Sequence, residues 1–83
     1  MKKPSKSLAI RNIFARNLRR VRRLQEISQE ELALRAGLSR SYVSEVERAE
    51  RNISIDNMAL LAEGLKTPLR DLVDPNLHKD LSS

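Results

Sequence analysis

The sequence predicts an all-α fold of five short helices, and three observations carry that prediction. Apolar residues recur at spacings of three and four rather than in alternation. Aromatic residues make up only 2% of the chain, so the core must come from Leu, Ile, Val and Ala, whereas strand-rich domains lean on aromatic and β-branched side chains. Capping residues (Ser28, Ser39, Ser54 and Thr67-Pro68) stand at the head of successive periodic stretches. Eighty-three residues are enough for one small domain.

The first helix is expected from about Ser7 to Gln25. Ile10, Ile13, Phe14, Leu18, Val21 and Leu24 fall within an arc of about 140°, with Arg16, Arg19, Arg20 and Arg23 opposite. Residues 1–7, with Pro4 and three lysines, read as a flexible basic arm. Ser28-Gln29-Glu30-Glu31 is a capping box: the Ser28 hydroxyl can accept from the Glu31 amide while the Glu31 carboxylate reaches back to the Ser28 amide. The helix it opens buries Leu32, Ala33 and Ala36 and stops at Gly37, the residue best suited to a left-handed C-terminal cap.

Ser39 caps a third helix ending near Arg48. Tyr42, Val43 and Val46 share one face of it, and Arg40, Ser41, Ser44, Glu45 and Arg48 share the other. So short a helix cannot stand alone and must present its polar side outwards. Helix four is expected from Ile55 to about Leu65, burying Ile55, Met58, Ala59, Leu61, Ala62 and Leu65, with Leu60 pointing away. Thr67 caps a short fifth helix from Pro68 to Val73, ended by Asp74-Pro75. The domain is therefore expected over 8–73, with 74–83 as a tail.

Composition removes several function classes. There is no Cys, and one His, so a disulfide scaffold, a thiolate metal site, a Ser-His-Asp triad and a zinc site all lack their residues. No catalytic cluster, cofactor or small-molecule site is expected. The longest apolar run, Met58 to Ala62, is far short of the roughly 20 residues of a membrane helix, and the expected compartment is cytoplasmic. The net charge of +5 is unevenly placed: residues 1–23 hold nine basic groups and no acid, and the remainder carries −4. A basic end on a near-neutral body suits a polyanionic partner, or it is a solvated helix face.

The decisive pattern is helix two, the tight turn and helix three. Ala33 must be small where the second helix crosses, Gly37 must permit the turn, and Leu32, Ala36, Leu38, Val43 and Val46 must seal the corner. All comply over Gln29–Glu47. The stretch Phe14–Val73 resembles the XRE class of phage-repressor and Cro regulators, a five-helix lambda-repressor-like DNA-binding domain with a helix-turn-helix. Arg40-Ser41-Tyr42-Val43-Ser44, Glu47-Arg48 and Arg51-Asn52-Ile53-Ser54 are similar to the controller proteins of restriction–modification systems.

The resemblance implies roles. Arg40, Ser41, Ser44 and Glu45 would face base edges in the major groove, Arg40 donating to guanine and Glu45 accepting from cytosine. Gln29, Ser39, Arg48, Arg51 and Asn52 would hold the DNA backbone. Tyr42 would reach the backbone or pack on helix four. Arg22 and Glu47 would form a structural ion pair. Ala49 and Lys66 depart from the pattern, standing where the class has glycine.

The implied partners are double-stranded DNA with a palindromic operator, a second copy of the chain, and, for an activator, RNA polymerase at Glu30, Glu31 and Leu34. Leu60, Leu65, Leu69, Leu72 and Val73 either form the dimer surface or complete the monomer core. A competing reading is an antitoxin-like protein-interaction module with a DNA-binding domain, but the tail after Pro75 is short for a partner-binding extension. RNA binding would call for stacking aromatics.

Overall fold

The computed structural model describes residues 6–77, with side chains from residue 9 onward. Most of the basic arm, His78 and the end of the tail lie outside the described residues. Five helices follow in order: α1 (Lys6–Leu24), α2 (Gln29–Ala36), α3 (Arg40–Glu47), α4 (Ile55–Gly64) and α5 (Leu69–Leu72), with no strand among the described residues. α2 packs on α3 and α4, and α1 lies against α3 and α5. Phe14, Leu18, Leu32, Val43, Leu61, Leu65 and Leu72 are fully buried at the centre.

Local chemistry sets the ends. Ser28, Ser39 and Ser54 each accept a hydrogen bond from the amide three residues on, at 3.0–3.1 Å. The capping box is only half formed: the Glu31 carboxylate faces Arg35, whose Nε donates to it at 3.3 Å, rather than the Ser28 amide. One turn of its own helix offers Glu31 a cation, which holds it better than a neutral amide already near solvent.

The helix ends α1 to α4 share one device. A residue in the left-handed region follows each helix: Glu26 (φ 57°), Gly37 (71°), Ala49 (59°) and Lys66 (52°). The amide after it donates back to a carbonyl five residues earlier, from Ile27 to Arg22, Leu38 to Ala33, Glu50 to Glu45 and Thr67 to Ala62. This is the Schellman closure. Gly37 meets it without steric cost; the other three each pay of order 1 kcal/mol. The same closure corrects the expected start of α5. Thr67 is consumed by the turn, its hydroxyl donating to the Leu65 carbonyl at 3.1 Å, so Pro68 (ψ 138°) becomes the residue before the helix.

The core differs from expectation at its edges. Ile10, Leu24 and Ile55, at or near helix ends, are 52%, 58% and 72% exposed, and Ala59, in the middle of α4, is exposed as well. Leu65 and Leu72, candidates for either a dimer surface or the monomer core, are completely buried within the chain, so they belong to its core and not to a dimer surface. Leu77 also joins the core, beyond the boundary expected at residue 73. Gly64 sits inside α4 because that end presses on α2: a Cβ there would come within 3.1 Å of Leu32 Cδ1.

α1 and the residue that follows it supply donors to the carbonyl ends of three other helices. Arg19 Nη1 donates to Glu47 O at the end of α3 (3.2 Å). Gln25 Nε2 donates to Leu65 O at the end of α4 (2.7 Å). Asn17 Nδ2 lies against Leu72 O at the end of α5 (3.1 Å). Carbonyls at helix ends lack intrahelical donors; Arg19 and Asn17 supply donors there, and Gln25 adds a second donor to the Leu65 carbonyl that the Thr67 hydroxyl also reaches.

Candidate nucleic-acid interface

α3 is sealed from below and open from above. Val43 and Val46 are buried, Arg40 and Ser41 are exposed, and Ser44 and Glu45 are half-buried beside them. These four polar residues line one shallow groove together with Arg48. The four expected base readers thus share a surface, and an α-helix, about 10–12 Å across with its side chains, fits the width of a DNA major groove.

One corner of the surface is locked. Glu47 is buried, and its carboxylate accepts from Arg22 Nε (2.6 Å), Arg22 Nη2 (2.9 Å) and Gln29 Nε2 (3.0 Å). Arg22 donates further to Ile27 O at 2.9 Å. The hydrogen bond with Glu47 holds the Arg22 guanidinium even more firmly protonated than usual, against the opposing pull of burial. The expected ion pair is therefore present, and it ties α1, the start of α2 and the end of α3 to one carboxylate. Gln29 uses its side-chain amide here; its backbone amide, in the first turn of α2, is the group left to meet an anion.

The loop after α3 pairs with the exposed side of α3. Arg51 Nε lies 3.3 Å from Glu45 Oε2, and its guanidinium stands 5.2 Å over the Tyr42 ring. Arg48 donates to Ser44 Oγ and meets Glu50 at 3.0 Å, which keeps the Glu50 carboxyl below the usual carboxylate range. Tyr42 packs against the core and accepts from Asn57 Nδ2 of α4 at 3.0 Å, so the packing alternative describes its free state. Asn52 is exposed at the edge of an apolar groove with Ile10, Phe14 and Met58.

Sequence reasoning missed Asn57 and Glu50, whose partners are distant or in an irregular loop. It also grouped four arginines on one outward face of α1. Arg20 and Arg23 are exposed there, but Arg16 and Arg19 are half-buried and bonded to backbone carbonyls. Among the described residues, no group of acidic or histidine side chains is placed to hold a metal ion, and no helix is long and apolar enough to cross a membrane.

Comparison with known proteins agrees with this geometry. The helix-turn-helix family pattern matches residues 18–72. The control protein C.SmaI of Serratia marcescens is 41% identical over 64 residues, covering 77% of this chain and 76% of that protein. The crystal structure of the restriction–modification controller protein C.AhdI from Aeromonas hydrophila is 44% identical, with a TM-score of 0.74, covering 77% of this chain and 97% of that one. The hypothetical transcription factor NHTF from Neisseria matches at a TM-score of 0.81 and 32% identity, over the whole of this chain and 95% of that one. With its capped α2, its left-handed Gly37 and its outward polar α3, the chain belongs to the helix-turn-helix family of XRE-like, DNA-binding transcription regulators.

Proposed function

We propose that this regulator binds a palindromic operator as a homodimer and acts as a controller of a restriction–modification system. The observation that carries the reading is α3 itself. Its apolar side is buried, its last residue is pinned by Arg22 and Gln29, and its free side carries Arg40, Ser41, Ser44 and Glu45. Arg40 offers paired donors to guanine, and Glu45 is the acceptor for a cytosine amino group. The first amides of α2, the Ser39 cap, Tyr42, Arg48, Arg51 and Asn52 surround that side and would meet phosphates.

One short helix reads about 4 base pairs, so two copies are needed to define an operator, and two-fold pairing makes the site palindromic. Leu60 (39% exposed), Val73 (36% exposed) and the half-buried Leu69 form the dimer surface in this reading. The relatives named as control and controller proteins support the assignment to restriction–modification. If the protein activates, Leu34, 76% exposed beside Glu30 on α2, is the surface for RNA polymerase. Selection of bound duplexes from a random pool tests the proposal: two inverted half-sites should emerge, whereas a pool without consensus, or a single unpaired site, would refute it.

A further inference from the structure

The polar bonds of α1 fall into two sets separated by little more than one turn. Toward its N-terminal side, Arg16 Nη2 donates to Pro75 O (3.1 Å), and the Asn17 side-chain amide faces Asp71 O (3.4 Å), Leu72 O (3.1 Å) and Asp74 O (2.8 Å). Toward its C-terminal side, Arg19 holds Glu47 O and Arg22 holds the Glu47 carboxylate. The first set grips the end of α5 and the turn that follows it; the second grips the end of α3. Asn17 and Arg22 stand about 7.5 Å apart along one rigid helix.

We propose that α1 is a strut that sets the spacing between half-sites, with Asn17 and Arg16 as positioning residues that never touch DNA. The inference rests on the reading above, in which α4 and α5 pair two copies and α3 reads each half-site. In such a dimer the separation and rotation of the two α3 helices depend on how α3 is held relative to α5. One base pair of spacer moves a half-site by about 3.4 Å and about 35°. A two-fold axis repeats any slippage of α5 in both copies, so small displacements reach that scale.

Asn17 is suited to this task and poorly suited to stability alone. It is fully buried, near the centre of the apolar arc of α1. Its Oδ1 has no hydrogen-bond partner among the described residues, so the amide is not an optimised core group. What it supplies is directional: two N–H groups among three carbonyls are satisfied in one docking of α5, whereas a leucine would tolerate sliding.

The test uses the selected operator and versions with one or two base pairs added to or removed from the spacer, each titrated by fluorescence anisotropy. Asn17→Ala, Arg16→Ala and, as a control off the strut, Arg20→Ala are compared with the native chain. Circular dichroism and sedimentation confirm that each variant folds and pairs. The native chain should prefer one spacer sharply. That preference should shrink on the order of tenfold in Asn17→Ala, about twofold to threefold in Arg16→Ala, and not at all in Arg20→Ala.

Affinity for a duplex carrying one half-site should stay within about twofold of the native value in all three, since no reading contact is changed. A folded, dimeric Asn17→Ala with the native spacer profile overturns the strut. If Asn17→Ala does not fold, an Arg16→Ala profile identical to the native one overturns it. A native chain that is monomeric, or indifferent to spacer, refutes the paired half-sites and the strut with them; sharp spacing in the native chain and in every variant refutes the strut alone.

Discussion

Removing the Glu47 carboxylate should cost more stability than truncating any of the exposed or half-buried polar side chains of α3. Its side chain is 2% exposed and accepts three hydrogen bonds; that of Arg22 is 11% exposed and keeps only the Ile27 carbonyl once Glu47 is gone. Stranding one member of a buried pair costs about 3–5 kcal/mol, and the remaining exposure and carbonyl contact of Arg22 place Glu47→Ala at about 3 kcal/mol. In a domain of this size each kcal/mol moves Tm by about 4–8 °C, so the melting temperature should fall by about 12–24 °C.

Thermal denaturation followed by circular dichroism reads this directly. The double variant Arg22→Met, Glu47→Leu should regain most of the loss, because no charge is left buried, and yet bind operator more weakly, because nothing orients the end of α3. An unchanged Tm in Glu47→Ala, or a double variant less stable than both singles, would refute the reasoning.

Further outcomes are expected elsewhere. Arg40→Ala should lose about 1–3 kcal/mol on operator and far less on unrelated duplexes; equal loss on both would remove Arg40 from base reading. Arg51→Ala should weaken all DNA alike and lower the slope of log affinity against log salt by about 1, measured by titration at several salt concentrations. Gly37→Ala should destabilise by about 1 kcal/mol from backbone strain alone, since a Cβ there meets nothing within 4 Å. Lys66→Gly should instead raise stability by about 0.5–1 kcal/mol, because the left-handed cap then falls on the residue that tolerates it; chemical denaturation decides both.

The parts legible in the sequence were those written in local pattern. Serine caps, Gly37, the sealing residues of the corner and the polar face of α3 are each fixed by spacing along a few residues, and each stands where expected. Arg22 and Glu47 were reached through resemblance rather than periodicity. Leu60, Leu65, Leu69 and Leu72 show why the dimer surface was not legible: periodicity marks a face as apolar without saying whether this chain or another covers it, and Leu65 and Leu72 are covered by this chain.

The carbonyl contacts of Arg16 and Asn17 lie 54–59 residues away in sequence, and backbone acceptors leave no trace in side-chain identity. One signal was present: an asparagine near the middle of an apolar arc must be buried, and a buried amide needs partners. Glu26 carried none, since its left-handed backbone follows from the closure of α1 onto Ile27 rather than from its own preference.

The most direct test is to follow the backbone amide signals of the isotope-labelled chain by NMR as the selected operator is added. The largest shifts should fall on Gln29, on Ser39 to Glu45 and on Arg48 to Asn52, with Arg20 and Arg23 on the outer side of α1 nearly unmoved. Shifts centred on those two arginines, with α3 unchanged, would mean that the basic face of α1 binds DNA and that α3 does not read it.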